Sequence, residues 1–158
     1  MLGWKYGVMV ALIDILKAVF PIVIFGLLLR MEGMELGLIR MIQYIIGSFV
    51  IIGHNFPFQM KFLGGKGTAS AVGMILAVNW KIGLLSIVVF VLIAFISNYI
   101  VVGVFSMYLS FLSTTFIFDV GMTAFIITLV LFGMSIVKHR ENIARIKNKT
   151  EPKLLSIF

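Results

Sequence analysis

Cysteine is absent from the 158-residue chain, histidine occurs twice and proline three times, and Asp and Glu together number six. Without a thiol there is no disulfide scaffold, no thiolate metal site and no cysteine nucleophile. Two histidines alone make a zinc site a poor fit, and no metal or other cofactor is expected. Charged residues are 12% of the chain, about half the ~25% of a soluble globular domain. Apolar residues are in excess instead, at 61%, and a chain this short has too little interior to hide them. A soluble monomer, a disordered chain and a collagen-like repeat are excluded. The composition is that of an integral membrane protein, so the net charge of +7 points to the membrane surface and not to nucleic acid.

Charges and polar clusters cut the sequence into six apolar stretches: 8–29, 41–58, 68–80, 82–98, 99–112 and 121–137. The first is 22 residues long, enough to cross a hydrocarbon core that takes ~20 helical residues. The third, with 13 residues, is too short to cross alone. Residues 82–112 carry no charge over 31 positions, and the polar pair Asn98 and Tyr99 divides them into two short or tilted segments. A basic tail, 138–158, follows. The expected fold is an all-α, polytopic transmembrane bundle forming a single domain over residues 1–158. The first stretch does not read as a cleavable signal peptide, because it carries Asp14 and Lys17 and no A-x-A site follows. No internal repeat of useful period is visible, which argues against an inverted-repeat transporter.

Six crossings put both termini on one side. That side collects Lys5, Lys61, Lys66, Lys138, Arg140, Arg145, Lys147, Lys149 and Lys153, against Arg30, Arg40 and Lys81 on the other. The second group is balanced by Glu32, Glu35 and Asp119. By the positive-inside rule the termini and the Lys61–Lys66 loop are expected in the cytoplasm, at the plasma membrane.

Three places carry chemistry. Asp14 and Lys17 are three positions apart and share a helix face. They read either as a self-neutralising pair that anchors packing or as a lysine facing a polar cavity and an anionic substrate. In the loop Gly64-Gly65-Lys66-Gly67-Thr68, glycines allow close approach of backbone amides to a ligand, and Thr68 starts a helix. Amide nests and helix N-termini hold phosphate in this way. The loop is not a Walker A motif, because Gly67 follows Lys66 where Ser or Thr should stand. The alternative is a tight turn with one solvated lysine. The tail helix from Lys138 places His139 and Asn142 on one face and offers an ion pair between Glu141 and Arg145. A polybasic segment attracted to anionic lipid is the competing reading there. His54 taken alone is a packing histidine near the interface. Neither histidine opens an H-x-x-x-x-D pattern, since Gln59 and Ala144 stand five positions on. A glycine–lysine loop and a His/Asn/Arg helix on one membrane face, expected to converge on a headgroup beside its apolar tail, suggest phospholipid chemistry.

Gly53-His-Asn-Phe-Pro, with Phe62-Leu-Gly-Gly-Lys-Gly-Thr-Ala69, resembles the central motif of the PlsY family of bacterial acyl-phosphate:glycerol-3-phosphate acyltransferases. His139-Arg-Glu-Asn-Ile-Ala-Arg145 with Thr150-Glu-Pro-Lys153 is similar to its C-terminal motif, and Leu12-Ile-Asp-Ile-Leu-Lys17 to its Leu-Asp-x-x-Lys segment. The resemblance implies acyl transfer from acyl phosphate to the 1-hydroxyl of glycerol 3-phosphate at the cytoplasmic face of the bacterial inner membrane, among membrane lipid. It implies His139 and Asn142 as catalytic residues. The substrate- and phosphate-binding set would be Gly64, Gly65, Lys66, Gly67, Lys17, His54, Arg140 and Arg145, with Glu151 supporting the fold. Three departures accompany it. The family's preceding membrane segment and its Ser-Gly-Asn-x-Gly-Ala-Thr-Asn loop are expected to be missing before Met1-Leu2-Gly3, and to come from upstream sequence or a partner chain. Val101 and Val104 stand where serines are usual, and Ala18 stands for a glycine. The alternative expectation is a non-catalytic relative that binds phospholipid precursors or regulates a complete homologue.

Overall fold

A computed structural model describes residues 3–118 and 121–156. Asp119, part of the charge balance above, and Met1 and Leu2, part of the first departure, lie outside the described residues. Among the described residues the chain is helical throughout. The helices are α1 (Gly3–Met31), α2 (Leu36–Asn55), α3 (Thr68–Val78), α4 (Trp80–Ser97), α5 (Ile100–Ile117), α6 (Met122–Lys138) and α7 (Arg140–Lys147). Helices α1, α2, α4 and α5 are long and apolar enough to cross a membrane; α6 and α7 together make a fifth span if the bent pair is one crossing. Helix α3 has 11 residues, a rise of ~16 Å, about half a hydrocarbon core. The sequence break at Asn98 and Tyr99 is real: α4 stops at Ser97, Asn98 takes the left-handed conformation at φ 62°, and α5 begins at Ile100.

Packing gathers the chain into two compact units, Met1–Gly83 and Leu84–Phe158. In the first, α1 and α2 are joined by a four-residue turn in which Gly33 adopts φ 74°, a conformation that glycine tolerates. Ala18 and Ile22 of α1, Ile51 of α2 and Ala71, Met74 and Ile75 of α3 are buried together. Helix α3 approaches α1 so closely that a Cβ on Gly73 would strike the Ile15 carbonyl oxygen, and would stand 3.1 Å from the Ala18 Cβ. Small residues at the crossing are what let two apolar helices pack by backbone contact in lipid, where no hydrophobic force drives them together. Ala18 therefore still fits as a replacement for glycine, because Gly73 supplies the space.

In the second unit, α5 buries Val101, Val104, Met107, Tyr108 and Phe111, and α6 buries Ala124, Thr128, Leu131 and Ser135. Phe132 of α6 meets Phe105 edge-on and stacks on Tyr108, at 6.1 and 5.9 Å between centroids. The chain bends by 55° between α6 and α7. After α7 the tail returns to the α4–α5 break, where the Asn98 carbonyl and side-chain oxygens accept hydrogen bonds from the amides of Leu154 and Leu155 at 2.9 and 2.8 Å.

Candidate functional site

The first unit's candidate groups surround the C-terminal end of α2. Phe56 precedes a proline and leaves the helical region at φ −133°, as the clash with the Pro57 ring requires. A single 3-10 turn, Phe58–Met60, follows, and then Lys61 and Phe62 both take positive φ, at 51° and 62°. The chain thereby folds back under α2. The amide of Gly64 donates to the Asn55 carbonyl and that of Gly65 to the His54 carbonyl, each at 3.2 Å. These bonds satisfy the otherwise orphaned carbonyls of the α2 terminus.

This alters the role expected of the glycine loop. Of its glycines only Gly67 has positive φ, at 76°, and the amides of Gly64 and Gly65 are spent on α2 rather than offered to a ligand. Their lack of side chains serves packing: a Cβ on Gly64 would strike the His54 carbonyl oxygen and Pro57, and one on Gly65 would strike the His54 ring at Nε2. The anion-binding capacity moves one step along the chain. Gly67 caps α3, whose first helical bond runs from the Ala71 amide to the Gly67 carbonyl at 2.8 Å. The amides of Thr68, Ala69 and Ser70 are thus the initial donors of the helix, which carry its partial positive charge. Ser70 is fully buried in that same turn with no hydrogen-bond partner for its hydroxyl. Lys66 is exposed immediately before Gly67.

Lys17 and His54 are brought together from 37 positions apart. Lys17 Nζ lies 2.6 Å from Asp14 Oδ1 and 2.6 Å from His54 Nδ1. The pair with Asp14 is made, and Lys17 also lines an open cleft of about 480 Å³ with His54, Pro57, Met60, Gly64 and Gly65. Pro21, one turn on from Lys17, cannot donate to the Lys17 carbonyl, which loosens α1 at this level.

In the second unit His139 sits at the bend between α6 and α7. It is buried, with Nδ1 2.8 Å from the Ser135 carbonyl oxygen and its ring edge-on to Phe105. Asn142, also buried, donates from Nδ2 to Glu151 Oε1 at 2.6 Å. The other Glu151 oxygen accepts from Arg145 Nε, again at 2.6 Å. The expected Glu141–Arg145 pair is replaced by Arg145–Glu151, because the chain turns back after α7 and presents Glu151 to a better-buried position. Arg140 is exposed at the start of α7. Glu151, expected to support the fold, does so by holding two candidate residues at once, a pairing that nothing in its spacing marks. Glu151→Ala is expected to cost about 1–3 kcal/mol of stability by removing the acceptor that the buried Asn142 amide and the Arg145 guanidinium share. Thermal unfolding in detergent measures it, and Glu151→Gln should recover part of the loss.

A family profile described as glycerol-3-phosphate acyltransferase matches residues 1–149. The chain belongs to that family. Among its relatives, glycerol-3-phosphate acyltransferase 1 of Oceanobacillus iheyensis is 47% identical over 158 residues, covering all of this chain and 76% of its own. The enzyme of Clostridioides difficile is 36% identical over 154 residues, covering 97% of this chain and 73% of its own. The crystal structure of PlsY, an integral membrane glycerol 3-phosphate acyltransferase, in its glycerol 3-phosphate form superposes with a TM-score of 0.83 at 28% identity. It covers 96% of this chain and 72% of that one. The lysophosphatidic acid form of PlsY superposes at 0.82. The glycerol-3-phosphate acyltransferase fold thus extends over almost the whole chain.

Proposed function

We propose that this chain is an acyltransferase that moves a fatty acyl group from acyl phosphate to the 1-hydroxyl of glycerol 3-phosphate, giving lysophosphatidic acid. The observation that carries the reading is the match of residues 1–149 to a family named for this acceptor, with solved relatives in glycerol 3-phosphate and lysophosphatidic acid forms. The geometry supports it. An acyl phosphate is already an activated mixed anhydride, so the protein has chiefly to place two anions and neutralise charge. The α3 N-terminus, with three amides, Lys66 and the buried Ser70 hydroxyl, is suited to a phosphate group. In the second unit, His139 and Asn142 are the proposed contacts to glycerol 3-phosphate. Because His139 Nδ1 faces a carbonyl oxygen it carries the proton, and Nε2 is the basic nitrogen of the neutral ring.

In the step itself the 1-hydroxyl oxygen bonds to the acyl carbon, the acyl–phosphate C–O bond breaks, and inorganic phosphate leaves. The hydroxyl proton passes to His139 Nε2 or to the substrate's own phosphate. Membership of a bacterial membrane enzyme family together with the positive charge of the Lys61–Lys66 loop supports placing the glycine loop on the cytoplasmic side of the plasma membrane.

The test is formation of lysophosphatidic acid from acyl phosphate and labelled glycerol 3-phosphate by the protein in proteoliposomes. Absence of product overturns the catalytic reading and favours a substrate-binding relative, which buried Val101 and Val104 at the usual serine positions would then explain. Within the catalytic reading, Lys66→Ala is expected to raise KM for the phosphate-bearing substrate at least about tenfold, the worth of one charge-assisted hydrogen bond. An unchanged KM would remove Lys66 from the site.

A further inference from the structure

We infer that Asp14 is a positioning residue: through Lys17 it holds His54 as the neutral Nε2–H tautomer, with Nε2 set against Gly65. The inference rests on the proposed function only for its kinetic consequence; the tautomer stands on geometry.

A lysine ammonium has three donors and no acceptor. At 2.6 Å from Lys17 Nζ, His54 Nδ1 must therefore offer its lone pair, since two N–H groups cannot face each other at that distance. The ring proton is left on Nε2. Asp14 acts on this arrangement through Lys17. It neutralises Lys17 at 2.6 Å, which keeps the ammonium seated between the two groups. Its Oδ1 is also 3.4 Å from His54 Nδ1, close enough to favour a proton there, so the seated ammonium of Lys17 is what keeps Nδ1 an acceptor.

The ring so fixed is the floor of the glycine loop. Nε2 occupies the place that a Gly65 side chain would need, and the Gly65 amide is tied to the His54 carbonyl. The loop is thus gauged from both sides of one residue, by the His54 backbone and by its ring. Since Gly65 stands two residues before the Gly67 cap of α3, a rotation of His54 is transmitted to the helix end assigned to phosphate. Asp14 touches no substrate in this scheme and acts through Lys17 and His54.

The chain's two histidines make the test direct. In protein labelled with 15N-histidine and held in nanodiscs, His54 is expected to carry its proton on Nε2. His139, which donates from Nδ1 to the Ser135 carbonyl, is expected to show the opposite pattern and serves as internal reference. His54→Gln assigns the signals by removing one set. Asp14→Asn should shift the His54 ring nitrogens while leaving those of His139 in place, and should lower kcat/KM for glycerol 3-phosphate about tenfold, the scale of one modest hydrogen bond. Asp14→Glu should restore part of both. A wild-type His54 protonated at Nδ1, or an Asp14→Asn protein with unchanged His54 signals, overturns the inference. If the nitrogen pattern is as expected but no variant or wild-type protein transfers acyl groups, the proposed function fails and the positioning of His54 does not.

Discussion

Gly65→Val is expected to reduce kcat/KM for glycerol 3-phosphate by at least about a hundredfold, the loss that follows when a binding loop is displaced by ~1 Å. The new Cβ would overlap His54 Nε2, and neither side has room to yield. The imidazole is held on its far edge by Lys17, which is held by Asp14. The Gly65 backbone is held by its bond to the His54 carbonyl, and the preceding Gly64 by its bond to Asn55. Relief must come from the loop lifting off α2, and that carries Lys66 and the Gly67 cap away from their places. The helices themselves are untouched, so circular dichroism should be unchanged while steady-state turnover collapses. Gly65→Ala should show the same direction at smaller size, because only the Cβ has to be accommodated. Turnover near that of the unmodified protein in Gly65→Val would mean that the loop takes no part in the reaction.

Gly73→Leu is expected to destabilise the first unit by about 3 kcal/mol, at the upper end of what overpacking costs. Here the obstacle is the Ile15 carbonyl oxygen and the Ala18 Cβ, one of them helix backbone that cannot rotate aside. Helix α3 would have to move away from α1, opening the crossing where Ala18, Ala71 and Met74 are buried. Gly47→Ala offers the contrast. Its Cβ would meet Met74 side-chain atoms at 2.5 and 2.7 Å, and an unbranched thioether can re-pack, so a loss under about 1.5 kcal/mol is expected. Thermal unfolding of both variants in the same detergent compares them. Equal midpoints would show that α1 and α3 are not in backbone contact.

Much of the architecture was legible because hydropathy and helix breaking act locally. The Val8–Leu29 run lies within α1, the polar pair Asn98 and Tyr99 separates α4 from α5, and the short apolar stretch before Trp80 contains α3. A polar Asn in an apolar run marks an interruption wherever the rest of the chain goes, and Asn98 proved able both to adopt positive φ and to hold the tail. The candidate site was legible by residue type more than by role. The Gly-Gly-Lys-Gly stretch announced close backbone approach, but whether those amides face a ligand or a helix end depends on where the chain turns. Two consecutive left-handed residues, Lys61 and Phe62, neither of them glycine, fold it under α2 and use up the amides of Gly64 and Gly65.

By itself the amino-acid order determined an all-helical membrane protein and the stretches that become helices, and it singled out the glycine loop and the His/Asn helix by residue type. Those follow from composition and from patterns a few residues long. Only the tertiary structure decided that Lys17 meets His54, that Arg145 chooses Glu151 over Glu141, and that the Gly64 and Gly65 amides bond to the end of α2. Each of these is a choice among partners of equal chemistry. What separates them is which one the folded backbone brings within hydrogen-bond reach, a distance that no local pattern encodes.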